Sequence, residues 1–139
     1  MNILIVEARY HPDVADALVD GATAALEKGG ARFERLAVPG VLEVPAAIAI
    51  AVRSSKPFDG YVALGCVTGT AHLADMFYSE TMRGLMTLGT GGIALGNGIV
   101  LAGDEGAAHD MATRQDIGGD AARACLALAT FGERLGYGR

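Results

Sequence analysis

Tryptophan is absent from this chain, and its 139 residues include only four tyrosines, four phenylalanines, four prolines and two cysteines. Cys66 and Cys125 lie far apart. They offer neither a disulfide framework nor metal-ligand spacing, so both are expected as reduced packing residues with no metal bound. No basic cluster offsets the net charge of −5, which argues against a nucleic-acid partner. No apolar run is long enough to cross a bilayer, so no membrane partner is expected. The segment Met1-Asn2-Ile3 has no basic residues ahead of its apolar run, and a cytoplasmic protein is the expectation. Neither a repeat nor a low-complexity tract interrupts the chain, whose length suits a single domain over residues 1–139.

What is present is largely apolar: half the residues are hydrophobic. The central stretch runs from Asp59 to Glu80. Tyr61 to Val67 carries no charge and no two-residue alternation, the pattern of a strand covered by helices on both faces. From His72 to about Leu88 a helix is expected, with Leu73, Met76, Phe77, Gly84, Leu85 and Leu88 as one stripe and Met82 and Met86 as a second. The loop between them, Thr68-Gly69-Thr70-Ala71, joins a strand's carboxyl end to a helix's amino end. Free backbone N–H groups and the helix dipole there favour an anion such as phosphate. His72 stands beside it, and histidine as a residue type, whose free imidazole titrates at about 6.5, suits proton transfer near neutrality. The loop lacks a P-loop ending and a dinucleotide fingerprint. The same residues would also serve as a tight turn with a capping histidine, so both readings stand at this point.

In chain order, Ile3-Leu4-Ile5-Val6 is a buried strand that ends at Glu7-Ala8-Arg9-Tyr10-His11. Pro12 and Asp13 suit a helix's first turn; its inner stripe is Val14, Leu18, Ala22, Ala25 and Leu26, and Gly29-Gly30 stops it. Ala31 to Val38 is a second strand whose charges place it near the sheet edge. A Pro-Gly turn in VPGVLEVP (residues 38–45) precedes the helix Ala46 to Val52. That helix is apolar all round and must be buried on every side. Because an αβα domain of this size leaves the outer helix faces in water, another subunit is expected to cover it. Ile93 to Leu101 is a fourth strand, in which Gly96-Asn97-Gly98 would let a ligand approach the backbone, with Asn97 as a substrate contact. A short helix from Gly103 to about Thr113 follows. The last helix carries Ile117, Ala121, Ala124, Leu128, Phe131 and Leu135 on one face and ends at Gly136 and Gly138. The order β-α-β-α-β-α-β-α-α predicts a parallel sheet with helices on both faces and a ligand at the strands' carboxyl ends.

Several pieces, taken in this order, resemble the 6,7-dimethyl-8-ribityllumazine synthase family of riboflavin biosynthesis. They are Ile5-Val6-Glu7-Ala8-Arg9-Tyr10, VPGVLEVP, Ala63-Leu64-Gly65-Cys66-Val67 with a following Gly-x-x-His, Glu80 with Arg83-Gly84-Leu85, Gly96-Asn97-Gly98-Ile99, and Gly118-Gly119 with Ala121-Ala122-Arg123-Ala124. The likeness covers almost the whole chain. It implies an α/β, flavodoxin-like three-layer αβα sandwich with a four-stranded parallel sheet. It further implies a homo-oligomer, at least a pentamer, with active sites between neighbouring subunits. The implied activity is a transferase that condenses 5-amino-6-(D-ribitylamino)uracil with 3,4-dihydroxy-2-butanone 4-phosphate, small-molecule substrates that need no metal or redox cofactor. Carried onto this chain, the family's roles give Tyr10 a stacking position on the pyrimidine. Val41 and Leu42 backbone and the Glu43 carboxylate would hold the ribityl chain, and Cys66, Val67 and Thr68 would offer backbone bonds to the pyrimidine. Gly69 and Thr70 would hold phosphate, and His72 would shuttle protons.

The chain departs from that pattern around the phosphate. Val67-Thr68-Gly69-Thr70-Ala71-His72 is two residues shorter than the family's usual loop and lacks its arginine, and Leu73 replaces the aromatic after the histidine. The arginine expected on the short fourth helix falls on Met111, with Arg114 one turn later as its nearest replacement. The alternative is a catalytically impaired oligomer of the same fold that binds flavin- or lumazine-type ligands or forms a shell. A flavodoxin-like electron carrier fits less well, because no aromatic residues surround the loop. Tyr10 would also suit an ordinary strand-end aromatic, and Glu43 a residue that favours the helix dipole. His11 and His109 are expected on the surface, and Met82 and Met86 in packing or an interface.

Overall fold

The four expected strands form one parallel sheet. The computed structural model describes residues 1–136 as β1 (Asn2–Ala8), α1 (Pro12–Lys28), β2 (Arg32–Val38), α2 (Glu43–Arg53), β3 (Gly60–Thr68), α3 (His72–Thr90), β4 (Leu95–Ala102), α4 (Glu105–Thr113) and α5 (Ile117–Arg134). The sheet order is β2-β1-β3-β4, and every pairing is parallel. The charged β2 is an edge strand, as expected. The expected helix end at Gly138 lies outside the described residues. No helix among the described residues is long and apolar enough to cross a membrane.

Alternate residues of the central strands feed two cores. Ile3 and Ile5 of β1 with Val62 and Leu64 of β3 pack under α1, α4 and α5 through Leu18, Leu26, Ala108, Ala121 and Cys125. Leu4 and Val6 with Tyr61 and Ala63 pack under α2 and α3 through Val44, Ile48 and Leu85. The result is the three-layer αβα sandwich. α1 buries the predicted Val14, Leu18, Ala22 and Leu26. Its Pro12 occupies the first turn, where a missing N–H leaves no acceptor unpaired.

Tertiary packing corrects four sequence expectations. β1 runs on to Ala8, so Glu7 is a strand residue, 2% exposed. α3 turns its inner face by about one residue: Ala74, Thr81 and Leu85 are buried, while Leu73, Met76 and Phe77 are exposed. Gly84 keeps its expected inward position and packs tightly on α2, where a Cβ would stand 3.0 Å from Pro45. α2 starts at Glu43 rather than Ala46; within one chain it buries only Val44 and Ile48 and leaves Ile50 72% exposed, the open face over which a second subunit is expected. Finally, Gly96 and Gly98 admit a helix rather than a ligand. A Cβ on Gly96 would fall 1.8 Å from the Ala121 carbonyl oxygen, and one on Gly98 would meet Leu64 and Ala121.

Candidate active site at the carboxyl end of the sheet

Chain connectivity reverses between β1 and β3, because β2 lies on one side of β1 while β3 and β4 lie on the other. The loops that leave β1 and β3 therefore diverge above the sheet and open a crevice, the usual ligand position in such folds. The β1–β3 ladder ends at the Glu7–Leu64 pair, whereas β3–β4 pairing continues to Thr68–Ala102. The edge of Cys66–Thr68 that faces β1 thus extends past the end of that ladder, where main-chain groups can meet a planar ligand edge.

Gly65 brings the β2–α2 loop to the same place. A Cβ there would lie 2.8 Å from Ala8 Cβ and 3.0 Å from Val41 Cγ1, so its absence lets Val41 pack across the ends of β1 and β3. Leu42 is half-exposed beside it. Glu43, the first residue of α2, folds back so that its Oε1 accepts from the Gly40 N–H at 2.9 Å. Tyr10 is 78% exposed, and its ring meets the His11 ring edge-on with centroids 5.0 Å apart. Burial, and secondarily the charge of Glu105, pushes the Cys66 thiol up to about 11. The thiol stays protonated, and Cys66 offers its backbone rather than a nucleophile.

Thr68 closes β3, and Gly69 turns the chain at φ +122, a conformation open to glycine. The Gly69 N–H donates to the Ala102 carbonyl at 2.9 Å. That bond engages the Gly69 amide, so the donors open to an anion here are the first amides of α3, which lack intrahelical acceptors. His72 begins α3 and is exposed. Tyr10, Val41, Leu42, Glu43, Cys66, Val67, Thr68, Gly69, Thr70 and His72 all come from the β1–α1, β2–α2 and β3–α3 connections and the strand and helix ends that flank them.

Asn97 and Arg114 lie elsewhere. Asn97 sits five residues before the end of β4, where its amide donates to Met82 Sδ and its Oδ1 accepts from the Ile99 N–H at 3.0 Å. It borders an apolar groove of about 1100 Å³ with Tyr61, Met86, Leu128 and Phe131. Arg114 caps the far end of α4, some 14 Å from that helix's start by helical rise. It is 82% exposed and paired with Asp110 at 3.0 Å. Met111, where the family pattern places an arginine, packs against the first core.

His11 is a correction. Expected on the surface, it is 18% exposed, with Nε2 3.2 Å from Thr68 Oγ1 and Nδ1 3.6 Å from Glu105 Oε1. A second missed cluster surrounds Glu7, which accepts from Arg9 and from Arg35, while Arg9 also reaches Asp16. Extending the strand periodicity by two residues would have placed Glu7 on the buried face of Ile3 and Ile5. Nothing local marked His11, because its partners lie on β3 and α4.

A doubly wound parallel sheet whose connectivity reverses between β1 and β3 defines an α/β protein of the class that holds ligands at that switch point. The profile of the family described as 6,7-dimethyl-8-ribityllumazine synthase matches residues 1–133. Proteins called 6,7-dimethyl-8-ribityllumazine synthase from Sphingopyxis alaskensis and Erythrobacter litoralis are 45% and 46% identical to this chain. They cover 99% and 97% of it, and it covers 99% and 98% of them. The 6,7-dimethyl-8-ribityllumazine synthase 1 of Rhizobium meliloti is 45% identical, with 98% of this chain and 94% of the relative aligned. The chain belongs to the 6,7-dimethyl-8-ribityllumazine synthase family.

Proposed function

We infer that this chain, acting as one unit, is a transferase of riboflavin biosynthesis. It condenses 5-amino-6-(D-ribitylamino)uracil with 3,4-dihydroxy-2-butanone 4-phosphate to give 6,7-dimethyl-8-ribityllumazine. The observation that carries this reading is family membership over nearly the full length at about 45% identity. The convergence of three loops on the β1–β3 crevice supports it.

In this reading the pyrimidine lies on the Tyr10 ring with its edge along Cys66, Val67 and Thr68. The ribityl chain runs toward Val41, Leu42 and Glu43, and the phosphate rests at Gly69-Thr70 and the start of α3. The 5-amino nitrogen attacks the ketone carbon, and water leaves to give an imine. Phosphate departs as a proton is lost from the neighbouring carbon. The resulting enol takes up a proton at its terminal carbon to become a ketone, and the ribityl-bearing nitrogen attacks that carbonyl carbon to close the ring with loss of a second water. Each step moves protons between fixed atoms, so positioning and one exchangeable base suffice, and this reading gives that task to His72.

The reading includes assembly into at least a pentamer. Exposed apolar side chains on three helices, among them Ile50, Met76, Phe77 and Phe131, are a surface that a second copy would cover. In that assembly Asn97 and Arg114, which lie away from their own chain's crevice, would complete a neighbour's. The test is a turnover assay with both substrates, followed by lumazine absorbance, on protein whose mass in solution is known. Product from a pentamer or larger assembly supports the reading. An intact assembly without product moves the function to ligand binding or shell formation.

A further inference from the structure

We propose that His11 is a positioning residue of this site: its ring locks Tyr10 and Thr68 into the arrangement that receives the pyrimidine, with Glu105 fixing the tautomer in which it does so. The proposal rests on the synthase reading for its ligand, but its geometry stands alone. His11 precedes α1 at a position where Ser, Thr, Asp or Asn commonly caps the helix, yet its side chain makes no capping bond. The ring instead bridges three elements. It meets the Tyr10 ring at 88°, places Nε2 3.2 Å from Thr68 Oγ1 across 57 positions of sequence, and holds Nδ1 3.6 Å from the Glu105 carboxylate at the start of α4.

A neutral imidazole carries one N–H, and a carboxylate only accepts. The negative charge beside Nδ1 favours the proton on that nitrogen, which leaves the Nε2 lone pair to accept from the Thr68 hydroxyl. Thr68 spends its hydroxyl proton on the ring and turns oxygen lone pairs toward the crevice. A ligand edge carrying N–H groups, such as that of an aminouracil, meets an acceptor there. The same bond fixes the last residue of β3, whose backbone faces that ligand edge, while the ring edge holds Tyr10 upright beside it.

Steady-state kinetics and ring-nitrogen NMR together test this. His11→Ala is expected to raise KM for the pyrimidine about tenfold while kcat falls no more than about threefold. Thr68→Val should do the same. His11→Gln, whose amide can accept from Thr68, should recover most of the loss. An unchanged KM in His11→Ala, or a His11→Gln variant as impaired as His11→Ala, would overturn the proposal. In mildly alkaline buffer, 15N spectra should show the His11 proton on Nδ1, shifting toward Nε2 in Glu105→Ala. A wild-type ring protonated on Nε2 would overturn it as well. If the wild type forms no lumazine, the synthase reading fails, and the tautomer measurement still decides the arrangement around His11.

Discussion

Glu7 of β1 receives a two-pronged bond from Arg35 of β2, Nε to Oε2 at 2.8 Å and Nη2 to Oε1 at 2.7 Å. Arg9 adds a third bond at 2.7 Å and carries the network on to Asp16. The carboxylate is buried while both arginines keep part of their guanidinium in water. Planar guanidinium forks suit such a carboxylate, and here they tie an edge strand to its neighbour just below the crevice.

Removing the acceptor should therefore cost stability. Glu7→Ala is expected to lower the unfolding free energy by about 2 kcal/mol, less than for a fully buried pair because the freed arginines regain water. Urea denaturation checks it, and no change would mean that the network is only a surface decoration.

Burial alone would raise the Glu7 carboxyl, but hydrogen bonds from Arg35 and Arg9, with their charges, outweigh it and hold it below the ordinary range. The folded form thus binds this proton less readily than the unfolded form. Its stabilising contribution is complete above the unfolded value of about 4.3 and is lost as pH falls through the lower folded value. The stability gap between wild type and Glu7→Gln should be constant near neutrality and shrink in acid, a difference that denaturation at several pH values reads directly.

His72→Ala should lower kcat by about a hundredfold or more, within the range for a general acid–base, with the solution mass unchanged. Turnover at the wild-type rate would remove His72 from that role.

Arg114→Ala should raise KM for the phosphate-bearing substrate roughly ten- to a hundredfold, the worth of a charge-assisted contact, and leave KM for the pyrimidine alone. Unaltered kinetics would assign the phosphate to the loop and the α3 amides only.

Two glycines should respond in opposite directions. Gly96→Ala forces a Cβ against the Ala121 backbone and should destabilise by about 1–3 kcal/mol. Gly89, in α3 with nothing within 4 Å of a built Cβ, should gain about 0.5–1 kcal/mol on becoming Ala. Thermal melts of the pair separate packing from backbone entropy.

The sequence by itself determined the number and order of the strands and helices and placed β2 at an edge. Those properties depend on unbroken apolar runs, turn residues and periodicity, all of which are local. The loop from Thr68 to His72 was legible for the same reason, since a strand end, a glycine and a helix start are neighbours in the chain. Only the tertiary structure decided which way α3 faces, why Gly96 has no side chain, that Glu7 is a buried ion-pair centre, and that His11 bridges Thr68 and Glu105. Each depends on atoms dozens of residues apart meeting at van der Waals or hydrogen-bond distance, and no window of sequence holds both partners.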